Sequence, residues 1–226
     1  MHIIFILLLL LALLYGPTLW VNWVMNRHRR EESFPFSGAE LAHHLIEELH
    51  LEGVTVETTP EGDHYDPTTG SVRLHPLNHD GRNLTAIAIA AHEVGHALQH
   101  ARNERPFLLR QQLVGWSGQV QRLGGYAMVG VPLAALLTRH PMPSLALLLI
   151  GLATLAATAV VHFVTLPVEF DASFNKALPL LNERDLLDQQ QQHAAQGILK
   201  AAAYTYVAGS LASLLNVWYW LRMLRR

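Results

Sequence analysis

From Ser144 to Leu166 the chain runs through 23 residues without an Asp, Glu, Lys or Arg, and few conformations are open to such a segment. Roughly 20 apolar residues span the hydrocarbon core of a bilayer. Every backbone N–H and C=O there must find its partner inside the chain, which makes the segment a helix. Three further apolar stretches, Ile3–Val24, Gly124–Thr138 and Ile198–Leu221, accompany it. Gly124–Thr138 is short and only Arg139-His-Pro-Met-Pro separates it from Ser144, so the two read as a helical hairpin. Ile3–Val24 has no basic n-region and no small-x-small cleavage site, and Arg27, Arg29 and Arg30 follow it directly. It reads as an anchor with its N-terminus outside, not as a signal peptide.

Composition agrees with a membrane protein. Half of the 226 residues are hydrophobic and 15% are charged, against about 25% charged in ordinary soluble domains. Sixteen basic and 18 acidic residues nearly balance, which leaves no electrostatic footprint for nucleic acid. With 27–122 and 170–200 on one side of the membrane, 12 of the 16 basic residues gather there, and that side is expected to be the cytoplasm. Arg222, Arg225 and Arg226 run against this rule. The fourth segment, which carries Tyr204, Tyr206 and the cluster Trp218, Tyr219 and Trp220, is therefore expected to be partly embedded, re-entrant or packed against the active site.

His92-Glu93-Val94-Gly95-His96 carries the chemistry. At about 3.6 residues per turn, positions i and i+4 share a helix face, so both imidazoles can reach one tetrahedral Zn²⁺. Glu93 stands beside the metal, placed to take a proton from a metal-polarised water and pass it to a leaving amine. The flanks, Leu84 to Ala91 and Ala97 to Gln99, continue one helix rich in small apolar residues. Gly95 costs that helix about 1 kcal/mol against Ala, which implies that a substrate or a neighbouring helix approaches its backbone closely. The chain has no cysteine, so any metal ligand is His, Asp or Glu.

Ser37-Gly-Ala-Glu40 is a capping box opening a helix with Leu41, Leu45, Ile46 and Leu49 on its apolar face, ended by Gly53. Val54–Thr58 and Ser71–His75 read as strands, with Pro60–Asp63 as a turn and Tyr65–Gly70 as a loop. The second strand is expected either to offer an edge to an extended peptide or to be covered. Residues 103–123 read as an amphipathic helix at the membrane surface, and Asp188–Gln192 as a solvated face.

A catalytic zinc takes three protein ligands and keeps a position open. Gln99 and Arg102 stand where metzincins carry Gly and His, which excludes that class. His100 lies about 12 Å along the helix from His92, too far to share a tetrahedral metal, and reads as a bystander. Glu169, in Leu166-Pro-Val-Glu-Phe-Asp-Ala-Ser173, is the better candidate, because two crossings return it to the side of His96. Asp171 is a candidate to orient a ligand imidazole. His162, ionisable and inside an apolar span, is a rival third ligand.

Four blocks, Tyr65-Asp-Pro with Val72-Arg-Leu74, Ala90 to Gln99, Pro167 to Ser173 and Ala201 to Ala208, give the chain a resemblance to the YugP-type membrane zinc metallopeptidases, also called putative neutral zinc metallopeptidases. The resemblance implies a gluzincin-like peptidase with one Zn²⁺ per chain on His92, His96 and Glu169 and with Glu93 as acid and base. It is more distantly similar to the HtpX membrane proteases, whose third ligand sits in an E-x-x-x-D segment. Here Ser173 occupies the place of that aspartate.

The expected fold is mainly α with a small β-sheet: a zincin-like core with its HExxH helix plus about four transmembrane or membrane-embedded helices. Its parts are an anchor (1–26), a cytoplasmic part with the HEVGH helix (31–123), a hairpin (124–166), a segment carrying the third ligand (167–197) and a C-terminal membrane helix (198–226). The expected function is a multi-pass cell-membrane endopeptidase that cleaves protein or peptide substrates on the cytoplasmic side. The oxyanion needs a second electrophile besides the metal, for which Tyr65, Arg73, His193 and Tyr206 are candidates. Two alternatives compete. An intramembrane site-two-type protease would need a downstream Asp-Gly, whereas Asp80-Gly81 lies upstream; a scaffold with a structural metal has no use for Glu93 and would show a fourth ligand.

Overall fold

The computed structural model describes residues 2–29, 34–138, 140–183 and 186–205. Two compact units divide the chain: Met1–Leu108 with Pro167–Thr205, and Leu109–Leu166 with Tyr206–Arg226. Most of the fourth apolar segment, with Tyr206, its Trp–Tyr–Trp cluster and its three arginines, lies outside the described residues.

The first unit is organised around a helix that water does not reach. After α1 (His2–Arg29) and α2 (Gly38–Glu48) come β1 (Thr55–Thr58), β2 (His64–Asp66), β3 (Ser71–Leu74), the short α3 (Pro76–His79) and α4 (Leu84–Ala101). Every α4 residue from Leu84 to Gln99 is buried. A helix enclosed on all sides needs an apolar surface all round, and its Ala and Ile residues supply one. Leu41, Leu45 and Ile46 of α2 share its core with Val72 and Leu74 of β3 and with Val21 and Val24 of α1.

Ser37 and Glu40 form the reciprocal capping box expected of α2. The helix stops earlier than Gly53, however: Leu49 is its C-cap and His50 takes the left-handed conformation at φ 51°. Gly53, at φ 77°, turns the chain into β1.

The sheet corrects one expectation and decides another. Tyr65 and its neighbours form a strand, β2, which pairs antiparallel with β3, while β1 pairs parallel with β3. In the order β1-β3-β2, β3 is central. Its hydrogen-bonding edges are both taken, so it is no template for an incoming peptide.

Helix α5 (Arg105–Thr138) is continuous; the surface helix and the first hairpin arm are one element. Helix α6 (Pro141–Phe170) runs on through a π-helical turn (Asp171–Ala177) into α7 (Leu178–Asn182), and residues 189–205 form the last described helix. Among the described residues two helices are long and apolar enough to cross a membrane, Arg105–Thr138 and Pro141–Asn182. Within the second unit, α5 and α6 meet through small residues. Any side chain at Gly124 would collide with Thr154, and one at Gly151 with Met128. Close backbone approach of this kind is how helices associate where lipid removes the hydrophobic drive. Leu133, Leu136, Leu137, Leu149 and Phe163 remain exposed, as side chains facing acyl chains would be.

Leu45 is fully buried in the core that α2 shares with α4. Leu45→Ala is expected to lower the unfolding free energy by about 2–5 kcal/mol, read from denaturant unfolding of the purified protein in detergent.

Candidate metal centre

Asn83 caps α4, its side chain accepting the Ala86 N–H at 3.0 Å. From that start the i, i+4 spacing sets His92 and His96 edge-to-face with ring centroids 4.7 Å apart. Glu169, on the last turn of α6, closes the group. Its Oε2 lies 3.2 Å from His92 Nε2 and 3.4 Å from His96 Nε2, and one donor atom from each of the three residues falls within 4.8 Å of the others. All three are buried.

These distances fit a metal. Donors 2.0–2.2 Å from a tetrahedral Zn²⁺ stand about 3.4 Å from one another. Two imidazoles and a carboxylate are also the donor types of a catalytic zinc site.

The ring nitrogens on the far side are held as well. His96 Nδ1 lies 2.9 Å from Gln99 Oε1, and His92 Nδ1 lies 3.1 Å from Ser173 Oγ. Gln99 Nε2 donates to the Val168 carbonyl at 2.9 Å and to Asp171 Oδ2 at 2.8 Å. Asp171 also accepts from Asn175 Nδ2 at 2.8 Å and from Lys176 Nζ, and Lys176 Nζ pairs with Glu104 Oε1 at 3.0 Å. Asp171, expected to orient an imidazole, therefore holds Gln99 instead. Neither Gln99 nor Ser173 carries weight as a motif residue, yet their spacing was a signal: three positions after His96 and four after Glu169.

Glu93 follows His92 on the buried helix. Burial pushes its carboxyl pKa up, the two imidazoles oppose that shift, and Glu169 and Asp63 add to it. The carboxylate is thus a better proton acceptor than an exposed one.

Gly95 explains how α4 and the π-helical turn come so close. A Cβ there would lie 2.9 Å from the Ala172 carbonyl oxygen and 3.4 Å from Lys176 Cβ. The close neighbour implied by this glycine is the turn carrying Ser173. A π turn, rare and concentrated at functional sites, also sets Asp171 and Lys176 on one side at i, i+5.

The other expected residues scatter. The Tyr65 hydroxyl lies 2.9 Å from His100 Nδ1, and both rings pack near Phe107, which sits 6.1 Å from the His96 ring. His100 stays outside the ligand group, as expected, and partners Tyr65. Burial, with Asp66 adding to it, raises the Tyr65 pKa. Arg73 is engaged on the sheet by Asp66 at 2.9 Å and Glu57 at 3.2 Å. His193 is exposed on the helix of residues 189–205, and Tyr206 lies outside the described residues. His162 belongs to the second unit and is absent from the ligand group.

The family described as putative neutral zinc metallopeptidase matches residues 2–225. A curated relative, the "Putative membrane protease YugP" of Bacillus subtilis (strain 168), is 31% identical over 221 residues, covering 95% of this chain and 93% of the relative. No solved structure matches.

Gly95→Ala weighs two effects. The helix gains about 1 kcal/mol in propensity, while overpacking against a backbone carbonyl costs about 1–3 kcal/mol. Packing is expected to win by displacing the turn that carries Ser173, with zinc affinity falling about tenfold or more, measured by competition with a chelator.

Proposed function

The chain belongs to the family of putative neutral zinc metallopeptidases, and from that membership we propose that it is a membrane-anchored zinc endopeptidase. In this reading His92, His96 and Glu169 hold one Zn²⁺ and Glu93 moves the proton. The observation that carries it is the convergence of three buried donors, from α4 and the end of α6, at separations a tetrahedral ion requires.

Zinc, when bound, supplies Lewis acidity: it makes water nucleophilic near neutral pH and polarises the scissile carbonyl. The protein's own residues do the rest. Glu93, buried and raised in basicity, takes a proton from the attacking water and returns it to the departing amine, so no net proton is consumed. Tyr65 is the oxyanion donor we favour among the four candidates. Its hydroxyl is anchored by His100, one turn beyond His96 on the same face of α4, whereas Arg73 is already paired with two carboxylates.

Membrane attachment is supported by α5 and α6 as candidate spans and by the name of the relative, a putative membrane protease. We further assign α1 as an anchor. Tyr15, Leu19 and Trp23 are exposed along it, and Arg27 lies over the Trp23 ring at 5.4 Å, an aromatic and basic flank suited to an interface. Arg27 and Arg29 favour the cytoplasm for that end, and so for the active site. Substrates would be segments of membrane or membrane-near proteins. The site-two alternative is disfavoured because α4 is enclosed by α2 and the π turn, and Asp80 caps α3 ahead of it.

Wild-type protein in detergent is expected to cleave an unfolded protein or a peptide library, to stop on chelation and to resume when zinc returns. Glu93→Gln should keep its zinc and lose about 10²–10⁴-fold in rate. Equal cleavage by Glu93→Gln, or zinc-loaded wild type inert on every substrate, would count against the proposal. Separately, Glu169→Ala should lower zinc content well below one per chain; full retention would remove Glu169 from the ligand set.

A further inference from the structure

The polar groups behind the two imidazoles determine where the ring protons are. Gln99 is 1% exposed, and one end of its amide faces the Val168 carbonyl oxygen at 2.9 Å and Asp171 Oδ2 at 2.8 Å. A carbonyl oxygen can only accept, and the carboxylate oxygen beside it is already approached by the Lys176 ammonium, which can only donate. That end of the amide is therefore the NH₂ group, and turning it round would set three oxygens against one another. The other end is an oxygen, 2.9 Å from His96 Nδ1. An oxygen with no hydrogen of its own needs a donor, so His96 carries its hydrogen on Nδ1.

The same logic applies to His92 through a different element. Ser173 Oγ lies 3.1 Å from His92 Nδ1 and 3.4 Å from the Leu199 carbonyl oxygen in the helix of residues 189–205. With its hydroxyl hydrogen turned toward the Leu199 oxygen, Ser173 offers its lone pairs to Nδ1, which is then the donor.

We propose that Gln99 and Ser173 are positioning residues that hold His96 and His92 with hydrogen on Nδ1, committing Nε2 of each ring to the metal. The proposal rests on the zinc reading above. The lysine behind Gln99 strengthens it. Lys176 is 6% exposed and bridges Asp171 and Glu104, so the acceptor that orients the Gln99 amide is itself fixed. The two imidazoles are thereby set by different side chains, His96 by Gln99 of α4, whose amide the end of α6 and the π turn orient, and His92 by Ser173 of the π turn, which also faces the last described helix. Removing either support should affect one ring only.

The test uses the full chain in detergent, loaded with zinc and labelled with ¹⁵N-histidine. Two hydrogen-bonded ring protons, both on Nδ1 and slow to exchange, are expected in the wild type. Gln99→Met should remove or shift one signal and Ser173→Ala the other, each weakening zinc binding by about 10–100-fold in chelator competition. A purely structural role for either residue would disturb both rings together or neither. Zinc bound with either Nδ1 lacking its proton overturns the proposal from the wild-type spectrum alone, even where a variant fails to fold. Variants that leave both signals and the zinc affinity unchanged overturn it too. Wild-type protein that takes up no zinc overturns the metal reading, and the proposal with it.

Discussion

Helix α4 sets the problem that the rest of the first unit answers: it is buried from Leu84 to Gln99 yet carries His92, Glu93, His96 and Gln99. Polar side chains removed from water cost several kcal/mol each unless they find partners. Partners cannot come from α4 alone, because its neighbouring positions are Ala, Ile, Val and Leu. They come from the end of α6 and the π turn, which bring Glu169, Asp171 and Ser173 against the helix. Gly95 permits that approach and Lys176 compensates its charge. Packing and site are therefore one arrangement: the contact that buries α4 is also the contact that assembles the ligand group.

Much of this was legible in the sequence. The HEVGH spacing defined one helix face, and a carboxylate interrupting an apolar run after two crossings pointed to Glu169, which the structure groups with both imidazoles. The capping box of α2 was equally readable, because its geometry depends on four consecutive residues. What escaped depended on long-range contacts or on weak local signals. Strand β2 is three residues long and followed by Pro67, so turn chemistry dominated its pattern until pairing with β3 overrode it. Helix α5 passes without a break through Gly124 and Gly125, where the surface helix was expected to give way to the hairpin; glycines are tolerated inside an apolar helix. Gln99 and Ser173 are neutral polar residues whose importance exists only once α4 and the π turn are face to face.

Two architectural demands meet in α6. Its N-terminal part is apolar and its exposed side chains are those of a helix in lipid. Its last turn delivers Glu169 into the buried core of the first unit.

The most direct test of the account is X-ray absorption at the zinc edge on the purified full-length protein, combined with metal quantitation. The account predicts one zinc per chain bound by two imidazoles, with oxygen donors completing the shell. A shell of three or four imidazoles, or protein that purifies and reconstitutes without stoichiometric zinc, would contradict it.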